Sequence, residues 1–354
     1  MMNDPTPPPA ETSPGNDAVD VTVLIPAYRP SRWINRILAS LAQQTDIGFK
    51  LIISIDHADA SDRTLVEACV ARYLPRHDVI IKTQSQPCGW VGNYNILLAL
   101  AKTRYVCLIP QDDYIAPSYL SALRTAHEKN PSAAVTYPDV YYEGVAHRRW
   151  TFAMRALFTP QRRGLRERWN TARERWREGI VFRSPSSQGS RATRVREYLE
   201  HSHLPAAVRG LIDTQVMGPH LLLRHGCDDD FNADIVWVLA MVDRGPAIRV
   251  PQARFHKVMH SKNTHVGWAR RNREEAHKRW LNHCWDCREQ LTALGWKWGP
   301  HKPVVRWLLR RFRSSATLMW PHYPLPPQTK TESRLVAEKL LRSPSGTETS
   351  QTFQ

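Results

Sequence analysis

The sequence lacks any apolar run of about 20 residues, which is the length that a membrane-spanning helix needs. Its amino terminus also lacks the basic start and apolar middle of a secretory signal. Cysteine is scarce, with six in 354 residues, and the scattered positions do not form a disulfide framework. These absences predict a reducing, cytoplasmic compartment.

Two well-known phosphate-binding signatures are also absent. Neither G-x-x-x-x-G-K-[ST] nor G-x-G-x-x-G occurs in the chain, which argues against a P-loop nucleotidase and a dinucleotide dehydrogenase. Cys284 and Cys287 have the spacing of half a zinc site, but there is no second pair, so helical packing is the favoured interpretation. No helix-turn-helix, zinc-finger or RNP pattern occurs, which argues against nucleic acid as the partner.

Positive charge is what the sequence has in excess, with a formal net charge of +16. Residues 148–200 contain 14 Arg, no Lys and 5 Glu, and a second basic amphipathic stretch follows at 303–320. Trp and Leu recur among these arginines at helical spacing, which is typical of a helix on a membrane surface. We expect a peripheral position on the anionic inner face of the cytoplasmic membrane. The alternatives are a solvated charged helix and a surface for RNA or another polyanion.

Apolar runs alternate with helical patterns through the first 140 residues. The alternation predicts an α/β fold with a mostly parallel sheet and helices on both faces. The predicted strands cover 21–28, 50–55, 79–82, 105–109 and 133–137. Parallel sheets bind ligands at the carboxyl ends of their strands. The residues that fall there are Tyr28, Asp56, the loop at Gly89, and the pair Asp112 and Asp113.

The predicted fourth strand ends in two adjacent carboxylates, Asp112 and Asp113. Mg²⁺ or Mn²⁺ is usually held by one or two carboxylates together with substrate phosphates. The pair therefore predicts a cation site beside a bound phosphate, whereas the alternative is a polar loop cap. Its place among strand ends that meet at one crevice favours the cation site. His260, later in the chain, is our candidate for a third metal or diphosphate contact.

Taken together, these features resemble the family-2 inverting glycosyltransferases, which have a GT-A fold. The match over about 20–140 is specific only as a combination of short motifs, since each alone is weak. Those motifs are 21–28 for the first strand, Asp56 with 61–64 for an acidic nucleotide-binding loop, Gly89 with Asn95 for a helix start, and 111–117 for the metal-binding acidic motif. A looser match over 220–265 is similar to the family's second acidic helix and following strand.

The resemblance implies transfer of a sugar from a nucleoside-diphosphate sugar, by our expectation a UDP-sugar, to a glycan or lipid-linked acceptor hydroxyl. It also implies inversion at the anomeric carbon and a requirement for Mg²⁺ or Mn²⁺. The implied nucleotide-sugar contacts are Pro26, Tyr28, Asp56, Gly89, Asn95 and Asp112, and the implied metal contacts are Asp113, Asp112 and His260. Asp234 is the implied general base, with Asp229 and Asp230 as rivals because four acids lie within seven positions.

Three positions depart from the family's pattern. Pro110 stands where an acid is common, Thr103 where a glycine is usual, and Tyr94 where a basic residue often precedes the loop asparagine. The departure at Tyr94 leaves the diphosphate one cation short, which an arginine elsewhere would have to supply. Two other functions stay open: a degenerate transferase that binds nucleotide sugars without turnover, and a basic RNA-binding protein on an α/β scaffold.

The predicted organisation has six parts, one of which is a C-terminal helical extension of the α/β fold. They are a disordered leader at 1–20, a nucleotide-sugar-binding half at 21–140, a basic helical insertion at 141–205, an acceptor-binding half at 206–267, a membrane-associating helical extension at 268–320 and a flexible tail at 321–354.

Overall fold

The computed structural model describes residues 19–45, 47–56, 59–143, 180–201, 206–226, 229–260 and 273–296. Within these ranges, nine strands form one sheet: β1 Val21–Ala27, β2 Lys50–Ile55, β3 Val79–Thr83, β4 Tyr105–Leu108, β5 Tyr114–Ile115, β6 Val135–Glu143, β7 Ile180–Phe182, β8 Leu211–Asp213 and β9 Ala247–Val258. The α-helices of these ranges are α1 Ile34–Ala42, α2 Ala60–Tyr73, α3 Gly89–Leu100, α4 Tyr119–Lys129, α5 Arg191–His201, α6 Thr214–Met217, α7 Ala233–Arg244 and α8 Arg273–Ala293.

The strands follow the order β3-β2-β1-β4-β8-β6-β9-β5, and β7 is added against β6. The first four strands in this order, β3, β2, β1 and β4, are parallel to one another. Every residue of β4 is buried, and β1 is buried except at the partly exposed Pro26. Near-continuous apolar runs of this kind are typical of parallel strands covered on both faces. The predicted α/β fold and its helical C-terminal extension, seen as α8, are confirmed.

The other half of the sheet is mixed. β8 is antiparallel to β4 and β6, whereas β6 and β9 are parallel over most of their length. The two-residue strand β5 is antiparallel to β9, with Tyr114 opposite His256 and Ile115 opposite Phe255. A two-residue strand has no periodicity, so the sequence pattern could not reveal it. Its pairing fixes the acidic turn that precedes it against β9.

The predicted basic helix is wrong at its carboxyl end. Within the predicted basic helical insertion at 141–205, Ile180 instead begins strand β7 and pairs with Tyr142 of β6. A helix does occur within the predicted insertion: it is α5, which follows β7. The remainder of the helical pattern, at 144–179, lies outside the described residues, as do 1–18, 261–272 and 297–354.

Asp243 anchors the helical extension to the rest of the protein. Its buried carboxylate on α7 accepts hydrogen bonds from Arg191 Nε at 2.8 Å and from Trp296 Nε1 at 2.6 Å. α5, α7 and the residues that follow α8 are thereby held together. Within the described ranges, no helix is both long enough and apolar enough to cross a bilayer.

Candidate active site

Asp113 lies in the turn between β4 and β5, and it is almost completely buried at 3% exposure. Its Oδ1 accepts a hydrogen bond from the backbone N–H of Val258 in β9 at 2.9 Å. Burial raises the pKa of Asp113 to about 7, against the opposing effects of Arg209, Lys257 and the Val258 N–H. Asp113 is therefore a buried acid that is partly protonated near neutral pH.

Asp112 points toward the end of β9 instead. Its Oδ2 lies 2.9 Å from Nε2 of His260. The His260 ring is stacked on Trp33, with ring centroids 4.6 Å apart and an interplanar angle of 21°. The guanidinium of Arg32 lies over the Trp33 ring, 4.6 Å from its centroid. The predicted ligands Asp112 and His260 are thus brought into direct contact.

The three predicted metal contacts do not form a closed ligand shell. Among the described residues, no group of three or more His, Cys, Asp or Glu side chains is arranged to hold a metal ion. Asp112 and His260 offer a carboxylate oxygen and an imidazole nitrogen, which are suitable donors for Mn²⁺, and the oxygen also suits Mg²⁺. The residues fit a site that two protein side chains share with substrate phosphate oxygens.

Tyr28 is held beside the acidic turn by a side-chain amide. Gln111 Nε2 donates to the Tyr28 carbonyl at 2.6 Å, and Gln111 Oε1 accepts from the Tyr28 N–H at 3.1 Å. The Tyr28 side chain is 50% exposed, and the Arg29 guanidinium lies 5.2 Å from its ring centroid. An aromatic face at the edge of the crevice is therefore accessible. Pro26 lies within β1, opposite Ser54 of β2.

Asp56 follows β2, and one of its oxygens is engaged by the protein. Oδ1 accepts from the backbone N–H of Cys88 at 2.9 Å and from the Cys88 thiol at 3.2 Å. Burial and the nearby Asp56 raise the pKa of Cys88 to about 11, so it stays a thiol. Gly89, the first residue of α3, has φ +69°, a conformation that favours glycine. Within the described structure, Asp56 Oδ2 makes no hydrogen bond.

Asn95 is engaged by the backbone across the crevice. Its Nδ2 donates to the Leu223 carbonyl at 2.9 Å, and its Oδ1 accepts from the Leu223 N–H at 2.8 Å. This pair of bonds ties α3 to the segment that leads to α7. The structure thus gives Asn95 an observed role in positioning that segment.

Three acids were candidates for the general base, and the structure separates them. Asp230 Oδ1 accepts from the Gly226 N–H at 2.9 Å, and the same carboxylate lies 3.2 Å from Nδ1 of His225. Asp229 is exposed, and both residues have positive φ. Asp234 instead lies in the first turn of α7 and is partly buried. Burial raises its pKa, while Arg209 and Lys257 lower it.

Arg209 and Lys257 are site residues that the sequence analysis did not identify. The field of both cations acts on Asp113 and on Asp234. Tyr94, at the position where a basic residue was expected, lies in the combined field of Arg209, Asp234 and Asp113. The departure at Tyr94 did indicate that a cation had to come from elsewhere. Nothing in the sequence indicated which one, because Arg209 precedes β8 and Lys257 lies in β9.

The predicted nucleotide-sugar contacts at the strand ends therefore meet at one edge of the sheet. The ends of β1, β2 and β4 bring Tyr28, Asp56 and Asp112 there, and α7 adds Asp234. This arrangement combines an accessible aromatic face, a helix amino terminus, an acid–imidazole pair and a separate carboxyl group with a raised pKa. It can bind a planar base and an anion, and it can accept a proton.

The family profile described as Glycosyl transferase family 2 matches residues 22–188. No curated protein sequence matches the chain. Among solved structures, S. aureus TarS in its longer form is 12% identical with a TM-score of 0.52; the alignment covers 85% of this chain and 54% of TarS. The present chain thus spans about half the length of that protein.

A shorter form, S. aureus TarS 1–349 in complex with UDP-GlcNAc, is also 12% identical, with a TM-score of 0.56. That alignment covers 91% of this chain and 79% of the TarS fragment. At this identity the likeness concerns the fold. It agrees with the α/β sheet described above.

Proposed function

The chain belongs to glycosyl transferase family 2 through residues 22–188, and from that premise we propose that it transfers a sugar from a UDP-sugar to an acceptor hydroxyl with inversion. The observation that carries the proposal is the placement of Asp234 in one electrostatic cluster with Asp112 and Asp113. A base and an acidic donor-binding motif on one crevice are what a single displacement needs. The UDP-GlcNAc bound to the TarS fragment supports a UDP-sugar as the donor.

The nucleotide is bound by the edge formed by β1, β2 and α3. The exposed ring of Tyr28 stacks on the base, and the free Oδ2 of Asp56 accepts a base N–H. The amino terminus of α3 at Gly89 offers backbone N–H groups to the diphosphate. Pro26 and Asn95 contribute by fixing the strand end and the segment before α7.

The cation site consists of Asp112 and His260, with Asp113 behind them. When Mg²⁺ or Mn²⁺ is bound, it stabilises the negative charge of the leaving diphosphate. Asp112 and His260 already touch each other, and the stack on Trp33 fixes the imidazole plane. Asp113 keeps the turn in place through its bond to Val258, because a buried carboxyl with that partner resists displacement.

Asp234 is the general base in this proposal. The acceptor oxygen forms a bond to the anomeric carbon while the bond from that carbon to the β-phosphate oxygen breaks, and the acceptor proton moves to the Asp234 carboxylate. The electron pair of the broken bond remains on the diphosphate. A pKa raised by burial makes Asp234 a stronger base than a solvated aspartate.

The donor assignment is tested by isothermal titration calorimetry with UDP-GlcNAc, UDP-glucose and GDP-mannose, each with and without Mn²⁺. We expect binding of a UDP-sugar, and a loss of about tenfold in affinity for Tyr28→Ala because base stacking is removed. Tyr73→Ala, on the partly exposed face of α2, is the matched control and should bind normally. Absence of binding by every nucleotide sugar would contradict the proposed function.

For the acceptor, we propose a glycan or lipid-linked molecule at an anionic membrane, as in polysaccharide or lipopolysaccharide synthesis. The support is the net charge of +16, since each Lys or Arg near an anionic surface contributes about 1 kcal/mol. We expect the protein to sediment with phosphatidylserine vesicles at low ionic strength and to be released by salt. Protein that stays in solution with these vesicles would contradict membrane association but not sugar transfer.

A further inference from the structure

Two cations that no sequence motif indicated lie beside the acids of the site. We propose that Lys257, assisted by Arg209, binds the diphosphate of the nucleotide donor and stabilises it as it leaves. This inference rests on the proposed function, and it assigns to two residues of this chain the positive charge that is missing at Tyr94.

The backbone places Lys257 next to the acidic turn. Lys257 pairs in register with Tyr142 of β6, and its ammonium lies 6.0 Å from the Tyr142 ring centroid. The next residue, Val258, donates its N–H to Asp113 Oδ1 at 2.9 Å. His260, three positions after Lys257, is in contact with Asp112. The end of β9 and the two residues that follow it therefore contact both acids and carry the cation.

Lys257 is partly buried, and in the described part of the chain no carboxylate lies within salt-bridge distance of its ammonium. Burial and the neighbouring Arg209 lower its pKa to about 8, against the attraction of Asp113, Asp234 and Asp112. A buried charge without a close counterion is unfavourable. A diphosphate bound in the crevice would supply the counterion.

Arg209 is the second cation of this pair. Its guanidinium lies 5.4 Å from the Phe255 ring centroid, on the strand that carries Lys257. Burial lowers the pKa of Arg209, but Asp113, Tyr142 and other acidic neighbours raise it by more, so the guanidinium remains charged. Fixed cations directed at an atom that gains negative charge stabilise the transition state without reorganisation. Here that atom is the β-phosphate oxygen that keeps the electron pair of the broken bond.

The test compares binding of UDP, UMP and uridine by calorimetry in EDTA, so that protein cations are measured apart from metal. We expect Lys257→Met to weaken UDP binding by about tenfold or more, because a charge-assisted contact is lost. UMP should be affected less, and uridine should not be affected. Methionine keeps the aliphatic packing against Tyr142. The matched control is Lys50→Met. Lys50 is an exposed lysine at the amino-terminal end of β2, where it pairs with Asp78.

Rescue and failure have distinct signatures. Lys257→Arg should restore most of the UDP affinity, and Arg209→Lys should retain more of it than Arg209→Met. If Lys257→Met loses affinity for uridine as much as for UDP, or binds UDP normally, the inference is overturned while the proposed function stands. If the wild-type protein binds no nucleoside diphosphate with or without Mn²⁺, the proposed function fails as well. Should Lys257→Met not fold, the Arg209 variants and Lys257→Arg decide the question.

Discussion

Replacing Asp234 with asparagine should lower the rate of sugar transfer by about 10²–10⁴-fold while UDP-sugar binding persists. Asparagine keeps the shape of the side chain and can still accept the hydrogen bond from the Ile235 N–H, which Asp234 Oδ1 accepts at 3.0 Å. It cannot take up the acceptor proton. The measurements are kcat from UDP release with acceptor, and Kd of the donor from calorimetry.

The matched controls are the two rival acids. Asp230→Asn keeps a group that can accept a hydrogen bond from the Gly226 N–H, and Asp229→Asn changes an exposed side chain. Both variants should therefore transfer sugar at nearly the wild-type rate. If Asp230→Asn loses as much activity as Asp234→Asn, the turn before α7 is rearranged on substrate binding and the assignment of the base to Asp234 is wrong. Full turnover by Asp234→Asn would contradict it directly.

The parallel half of the fold was predictable because local pattern and tertiary structure agree there. Apolar runs gave β1, β2, β3 and β4, and a parallel sheet necessarily brings their carboxyl ends to one edge. Tyr28, Asp56 and Asp112 could therefore be placed together from spacing alone. The positive φ of Gly89 likewise agrees with a glycine at the start of a helix.

The mixed half was not predictable in the same way. Its decisive contacts join residues more than a hundred positions apart, such as Asp113 with Val258 and Asp112 with His260. They depend on the pairing of β5 with β9, and β5 is too short to show a pattern. Lys257 belonged to no site motif in the sequence, and nothing in the sequence indicated the two hydrogen bonds between Asn95 and Leu223, 128 positions away.

Asp113→Asn should abolish the cost of burying a carboxylate, and we expect the variant to be more stable than the wild-type protein at neutral and higher pH. The folded-state pKa of Asp113 is raised from 3.8 to about 7. The stability that the acid contributes is thus fully present below pH 3.8 and is lost as the pH rises through 7. At about 1.4 kcal/mol per pH unit, the gain for asparagine approaches about 4 kcal/mol as an upper bound.

The pKa of about 7 already includes the attraction of Arg209 and Lys257 for the Asp113 carboxylate. The gain is an upper bound because the asparagine amide also loses hydration when it is buried. The measurement is urea unfolding in EDTA between pH 4 and pH 8, and the difference between variant and wild type should grow with pH. Asp139 provides a control of opposite sign, since it is buried and forms a bidentate pair with Arg249 at 2.6 and 2.8 Å. Asp139→Asn should destabilise the protein at every pH in that range. A stability difference between Asp113→Asn and wild type that does not change with pH would contradict the prediction. It would show that Asp113 is ionised over the whole pH range and that its neighbours fully offset the cost of burying the carboxylate.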